Sequence, residues 1–205
     1  MQLVLIRHAE SFNNIGTTED LDSSLSNNGF TQMEVTARWL KNIFSQKTPF
    51  ENFIGYTSPL LRCLQTSRVL SHIIKVPFEV NYKLREFSVT KENSISPCVT
   101  IRNRKDIYDF SWIEDKKEIC FKDESLAEFV PRVKSFYSNL DPKGKYLIVS
   151  HGSVCRCLHA LATNTVEILF ERYSNFDFEE NTSIKNCGIT FIRDNKEIMF
   201  SKTIY

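Results

Sequence analysis

YLIVSHGSVCRCLHAL, Tyr146 to Leu161, reads as strand, tight turn and helix in immediate succession. Tyr146–Val149 is a continuous apolar run of the kind buried on both faces of a sheet. Ser150-His151-Gly152 then interrupts it with polar and small residues. Val154, Cys157, Leu158 and Leu161 follow at helical spacing. A buried strand feeding a helix through a polar turn is the unit from which parallel sheets are built.

Other segments repeat the pattern. Leu3–Ile6 is a short apolar run that ends in Arg7-His8. A helix is expected from about Ser26 to Phe44, with Phe30, Met33, Ala37, Leu40 and Phe44 on one face and Ser26 as N-cap. Phe53–Thr57 reads as a second strand. Ser58-Pro59 reads as N-cap and first helical position of a helix carrying Leu60, Leu61, Leu64, Val69, Leu70 and Ile73. Pro77–Tyr82 is a third, shorter strand. Ser125-Leu126-Ala127-Glu128 fits a capping box opening a helix to about Asn139, which Pro131 either kinks or delays. Ile189–Ile192 and Glu197–Lys202 form a hairpin about Asp194-Asn195. Strands alternating with amphipathic helices predict a largely parallel sheet covered on both faces.

Composition narrows the function. The chain has 205 residues, 26 Lys+Arg against 25 Asp+Glu, and 41% hydrophobic residues. That is one expected domain over 1–205, with an irregular segment at about 87–122. A net charge of +1 gives no broad field for nucleic acid or an anionic membrane. No apolar run approaches a bilayer span, and the N-terminus lacks a basic start. Six scattered cysteines without a CxxC pair, and only four histidines, predict free thiols in a reducing cytoplasm and no zinc site.

In parallel sheets ligands bind beyond the carboxyl ends of the strands. Arg7-His8, Thr57-Ser58 with Arg62 one turn on, and Ser150-His151-Gly152 all fall there, and Glu86 follows the shorter strand. Two guanidiniums match phosphate oxygens, and a helix N-terminus after His151 adds N–H donors. A neutral imidazole is a nucleophile towards phosphorus, and a carboxyl group can protonate a leaving oxygen.

Arg7-His8-Ala9-Glu10-Ser11 with Asn14 resembles the signature of the histidine phosphatase superfamily, the phosphoglycerate-mutase-like group. Further matches follow in order: Asp22 through Leu25-Ser26 to Gly29 and Gln32, Tyr56–Arg62 with Gln65-Thr66, Leu84-Arg85-Glu86, Glu124-Ser125, Val149–Gly152 with Arg156, and Asn186–Thr190. The resemblance covers nearly the whole chain. It implies a three-layer α/β/α sandwich with a mostly parallel central sheet, and a metal-independent, cofactor-free phosphatase. In it His8 becomes phosphohistidine. Arg7, Arg62 and His151 hold the phosphoryl oxygens, with Asn14 and the Gly152 N-terminus as further phosphate contacts, and Glu86 is the proton donor and later base. The expected partner is a small phosphorylated substrate, with no nucleic acid and no membrane. Oligomeric state is not readable.

Three departures stand out. Ala9 replaces the usual Gly. Phe87-Ser88-Val89 replaces the family's turn after Glu86, which leaves Glu10 and Glu92 as alternative acids. Ser153 stands where mutases carry Asn, and their long basic insertion is absent, so hydrolysis is favoured over a phosphomutase; the presence of both His and both Arg argues against a catalytically weak binding module of the same fold. Arg102, Arg104 and Lys105 read as a solvated charge run, Tyr108 and Trp112 as packing or pocket lining, and His72 and His159 as structural.

Overall fold

A computed structural model describes residues 1–47, 50–87, 98–100, 118–120, 124–167 and 184–205. The elements are β1 (Gln2–Arg7), α1 (Asn27–Lys47), β2 (Ile54–Thr57), α2 (Leu61–Ile74), β3 (Phe78–Val80), β4 (Cys98–Thr100), β5 (Glu118–Cys120), α3 (Leu126–Tyr137), β6 (Lys145–Ser150), α4 (Gly152–Thr163), β7 (Ile189–Arg193) and β8 (Lys196–Lys202). Short 3-10 turns occupy Phe50–Asn52 and Tyr82–Leu84. The main sheet has the order β3-β2-β6-β1-β7-β8, and β4 and β5 form a separate antiparallel pair. β3, β2, β6 and β1 are mutually parallel, and β7 and β8 close the sheet antiparallel.

The unbroken apolar runs are explained by cover on both faces. Leu3, Leu5, Tyr146 and Ile148 pack with Phe129, Val133 and Leu158 of α3 and α4. Val4, Ile6, Leu147 and Val149 pack with Met33, Leu40, Cys63 and Leu70 of α1 and α2. Neighbouring residues of one strand thus serve opposite cores, the period-2 rule in a doubly covered sheet. The result is the expected three-layer sandwich. β1 and β6 are adjacent, yet the helices that follow them lie on opposite faces, which opens a crevice at their carboxyl ends.

The hairpin turn is Asp194-Asn195, with φ of 51° and 62°, the backbone that a two-residue type I′ turn requires. Ser125 and Glu128 make the capping box at the start of α3. That helix runs through Pro131 rather than starting at it. The lost bond would go to Ala127, which is exposed, so water can serve that carbonyl. The second helix differs from expectation. It starts at Leu61, and Ser58 is not its cap. Instead Asp22, 39 residues earlier, accepts the Leu61 N–H at 2.6 Å. The irregular segment at 87–122 lies mostly outside the described residues, as do Arg102, Arg104, Lys105, Tyr108 and Trp112. No helix among the described residues is long and apolar enough to cross a membrane.

Candidate active site

The sheet ladder extends past the strand ends and carries the polar residues with it. Arg7 pairs with Ser150 in the β1–β6 register. The next step is a bond from the His8 N–H to the Ser150 carbonyl, 2.9 Å. Ser58 N–H donates to Val149 in the same way, 3.0 Å. His8 and His151 therefore leave neighbouring parallel strands at the same level, with ring centroids 5.2 Å apart and planes at 63°.

The His8 ring is buried and its Nδ1 lies 2.7 Å from the Ala9 carbonyl. A carbonyl only accepts, so Nδ1 carries the hydrogen. Burial, then the charges of Arg62 and Arg7, hold this imidazole well below the usual histidine pKa of 6.5. The ring is neutral and its Nε2 lone pair is free of a proton. That nitrogen accepts from Arg62 Nε at 3.2 Å. Ala9 donates its N–H to Thr66 Oγ1, which in turn donates to the Arg62 carbonyl. Ala9 is not in the left-handed region, so alanine serves in place of glycine without strain.

Arg62 sits in the first turn of α2 and donates from Nη1 to the Leu21 carbonyl, 2.7 Å. Arg7 donates from Nη1 to the Ile184 carbonyl, 2.6 Å. Its Nε is buried with no hydrogen-bond partner among the described residues. Burial lowers both guanidinium pKa values from 12.5, and both stay charged at neutral pH. Two guanidinium cations beside a pair of neutral imidazoles can receive an anion.

His151 is fully buried as N-cap of α4. Ser58 Oγ lies 2.7 Å from its Nε2 and Cys63 Sγ 3.4 Å from the same nitrogen. Ser58 Oγ keeps only a long bond from the Leu60 N–H, 3.4 Å, and its short contact is with an imidazole 93 residues away. Burial, then Arg62, His8 and Arg7, keep His151 neutral as well. Its Nδ1 is 3.9 Å from Glu86 Oε2. Gly152 opens α4 beside Arg7, whose Nε lies 3.8 Å from where a Cβ on Gly152 would stand.

Glu86 follows the 3-10 turn and keeps 28% side-chain exposure. The Phe87 N–H donates to its Oε1 at 2.9 Å. Burial raises its pKa above 4.5, opposed by that bond and by Arg62 and Arg7. The turn is clamped from below. Arg132 donates from Nη1 to the Lys83 and Arg85 carbonyls, 2.6 and 3.0 Å. Its Nε and Nη2 grip both oxygens of buried Glu124 at 2.6 and 2.5 Å. Ser150 Oγ donates to the Leu84 carbonyl, 2.8 Å. Glu10, an alternative acid, is instead taken up at the start of α1, accepting from Ser26 Oγ at 2.6 Å and Asn28 Nδ2 at 3.1 Å. Glu92 lies outside the described residues.

Asn14 stands on the exposed loop after β1, its Oδ1 bound by Ser11 and Asn186. His159 pairs with Glu197 at 2.6 Å, and His72 is exposed on α2; neither reaches the crevice. Cys63, Cys155, Cys157 and Cys187 are buried free thiols. No group of His, Cys, Asp and Glu among the described residues is arranged to hold a metal. Sequence reading did not foresee Ser58 as a partner of His151, nor Asp22, Thr66, Arg132 and Asn186 as supports. Asp22, Ser58, Thr66 and Asn186 lie in segments that carry the family resemblance, but their roles, and Arg132 altogether, come from the bonds of the folded chain.

Comparison with known proteins gives a consistent picture. Residues 3–198 match the sequence model of the histidine phosphatase superfamily, branch 1. "Putative phosphoserine phosphatase 2" of Hydrogenobacter thermophilus is 30% identical over 196 residues, 93% of this chain and 88% of that protein. The fructose-2,6-bisphosphatase of Saccharomyces cerevisiae is 28% identical over 166 residues, 78% of this chain and 34% of that one. Among solved structures, mycobacterial glucosyl-3-phosphoglycerate phosphatase superposes with a TM-score of 0.65 at 18% identity, covering 98% of this chain and 99% of that one. A phosphoserine phosphatase from Entamoeba histolytica, in complex with 3-phosphoglyceric acid, gives 0.62 at 20% identity over 98% and 97%. Both share the fold.

Proposed function

The chain belongs to the histidine phosphatase superfamily, and from that premise we propose that it hydrolyses phosphate monoesters of small molecules through a phosphohistidine on His8. The observation that carries this reading is the state of the His8 ring: neutral, buried, its Nδ1 hydrogen given to Ala9 and its Nε2 lone pair turned towards Arg62. An imidazole in that tautomer is ready to attack without first losing a proton.

A phosphoryl group entering the crevice takes the Arg62 Nε hydrogen away from Nε2 and leaves that lone pair facing phosphorus. Arg7, Arg62, Asn14 and the N-terminus of α4 at Gly152 bind the non-bridging oxygens. His151, held at Nε2 by Ser58, turns Nδ1 towards the same oxygens and towards Glu86. As the Nε2–phosphorus bond forms, the bond to the ester oxygen breaks and Glu86 delivers its proton to that oxygen. The upward pKa of Glu86 suits a group that must hold this proton. Water then attacks phosphorus, its proton passes to the Glu86 carboxylate, and the nitrogen–phosphorus bond breaks to give inorganic phosphate and the starting enzyme.

The relatives named for phosphoserine, fructose-2,6-bisphosphate and glucosyl-3-phosphoglycerate support a small phosphorylated metabolite as substrate. The test is hydrolysis of an aryl phosphate in EDTA, with samples quenched in alkaline detergent and probed for phosphoprotein. Metal-independent release of inorganic phosphate and an acid-labile phosphoprotein lost in His8→Ala are expected. With a phosphate ester that carries a second free hydroxyl, an isomeric ester in place of free phosphate would make the protein a mutase, and turnover that survives in His8→Ala would end the covalent mechanism.

A further inference from the structure

The segment 184–188 has no role in the mechanism just derived, yet four of its five residues bond to Arg7 or His8. Ile184 accepts from Arg7 Nη1. The Gly188 carbonyl accepts from the Arg7 N–H at 3.2 Å, and the Cys187 N–H donates to the His8 carbonyl at 3.3 Å. Between them stands Asn186. Its Nδ2 donates to the His8 carbonyl at 3.0 Å and to Asn14 Oδ1 at 3.0 Å. Both amide hydrogens are therefore used.

The orientation of these two amides follows from the groups around them. The His8 carbonyl can only accept, so Asn186 must turn its nitrogen to it. The Ser11 N–H can only donate, and it lies 3.1 Å from the Asn14 side chain, so Asn14 must turn its oxygen there. Ser11 Oγ and Asn186 Nδ2, both at 3.0 Å, bring two more donors to that oxygen. With Oδ1 surrounded by three donors, the Nδ2 of Asn14 faces away from them. Among the described residues nothing in the protein accepts from it.

The His8–Ala9 peptide is pinned on its other side too, since the Ala9 N–H donates to Thr66 Oγ1. The carbonyl that Asn186 holds belongs to the same peptide plane. The next carbonyl along, that of Ala9, sets the His8 tautomer. The Tyr205 hydroxyl donates to the Asn186 main-chain carbonyl at 2.7 Å and secures the segment in turn.

We propose that Asn186 is a positioning residue of the phosphoryl site: one side-chain nitrogen aligns the peptide of the nucleophile His8 and fixes the amide of Asn14 so that its two N–H donors are offered to the substrate. This inference rests on the phosphatase reading. It gives Asn186 two separable effects. Alignment of His8 acts on kcat. Presentation of Asn14 acts on phosphate affinity, and only while Asn14 is present.

The experiment is a double-mutant cycle in the full chain with Asn14→Ala, Asn186→Ala and the combined variant. Asn186→Leu serves as a second, volume-keeping version. The readouts are kcat and KM for para-nitrophenyl phosphate, and the dissociation constant of orthovanadate by calorimetry. Loss of the two bonds should lower kcat/KM roughly ten-fold. Asn186→Ala should weaken vanadate binding in the wild-type background and leave it unchanged once Asn14 is gone, while its cost in kcat persists. Equal vanadate cost in both backgrounds, or activity within two-fold of wild type, would overturn the proposal. Failure of both variants to fold would reduce Asn186 to a structural residue and overturn it as well. If the wild type turns nothing over but binds vanadate, the phosphatase reading fails and the vanadate cycle still decides the role of Asn186. If it does neither, both fall.

Discussion

The crevice has a cationic half and an acidic half, and they are held by different means. Arg7, His8 and His151 continue the ladder of β1 and β6, and Arg62 rides the first turn of α2. Their positions are set by main-chain bonds inside a doubly covered sheet. Glu86 follows a single 3-10 turn whose carbonyls are held by side chains: Arg132 on Lys83 and Arg85, and Ser150 on Leu84. Arg132 is itself held by the bidentate pair with Glu124, both partners nearly buried. The half proposed to bind phosphate is held as firmly as the sheet. The half proposed to move the proton depends on side-chain bonds to one short turn, centred on the Arg132–Glu124 ion pair.

The sharpest way to break the contrast is at the nucleophile. His8→Ala should remove turnover of every ester alike, on the order of 10⁴-fold or more, with the fold retained by circular dichroism. Glu86→Gln should instead discriminate between substrates. General acid catalysis contributes about 10²–10⁴-fold where the leaving group needs a proton. An alkyl phosphate should lose that factor and an activated aryl phosphate far less. Equal losses on both would take the role of leaving-group acid away from Glu86.

The clamp predicts a third, smaller effect. Arg132→Met leaves Glu124 buried with only Arg85, at 3.3 Å, as ion-pair partner among the described residues. Breaking a buried pair costs about 3–5 kcal/mol, which urea unfolding would read. Activity should fall about ten-fold, with the deficit larger on alkyl than on aryl phosphates because the turn under Glu86 is released. A uniform loss on both would mean that the clamp supports the whole crevice and that the two halves are not independent.

The same contrast explains what the sequence discloses. Apolar runs ending in Arg7-His8 and Ser150-His151 are local signals, and the residues that follow strands in a parallel sheet meet at one edge. The capping box at Ser125 and the Asp194-Asn195 turn are local too. Ser58-Pro59 carries a sound local signal for a helix cap, but tertiary structure overrides it because His151 claims the hydroxyl and Asp22 caps the helix from afar. Arg132 carries no sequence signal, and Thr66 and Asn186 are visible only within segments of the resemblance, with no role attached. Apart from the Arg132–Glu124 pair and the Thr66–Arg62 bond, 8 and 4 residues apart, their importance lies in hydrogen bonds spanning 47 to 178 residues, which no window along the chain contains. Glu124 was visible only as part of a resemblance, with no role attached; the bond to Arg132 supplies one.

The two halves should also titrate with opposite sign, and this is the finest test of the comparison. His8 and His151 have folded pKa values pushed below the 6.5 of the unfolded chain. Below that pH the unfolded state binds more protons, so their contribution is present above 6.5 and is lost as pH falls towards the lowered values. Glu86 has a folded pKa raised above 4.5. Its contribution is present below 4.5 and is lost as pH rises through the raised value. Between 4.5 and 6.5 the histidines make stability rise with pH while Glu86 makes it fall, each by at most about 1.4 kcal/mol per pH unit. Two groups oppose one, so urea-unfolding free energy should climb with pH across this window. Glu86→Gln, which cannot titrate, should make the climb steeper, and His151→Asn should make it shallower. A slope unchanged in Glu86→Gln would mean that Glu86 shares its pKa between folded and unfolded chains, and the acidic half would then lack the environment that lets it keep a proton for the leaving group.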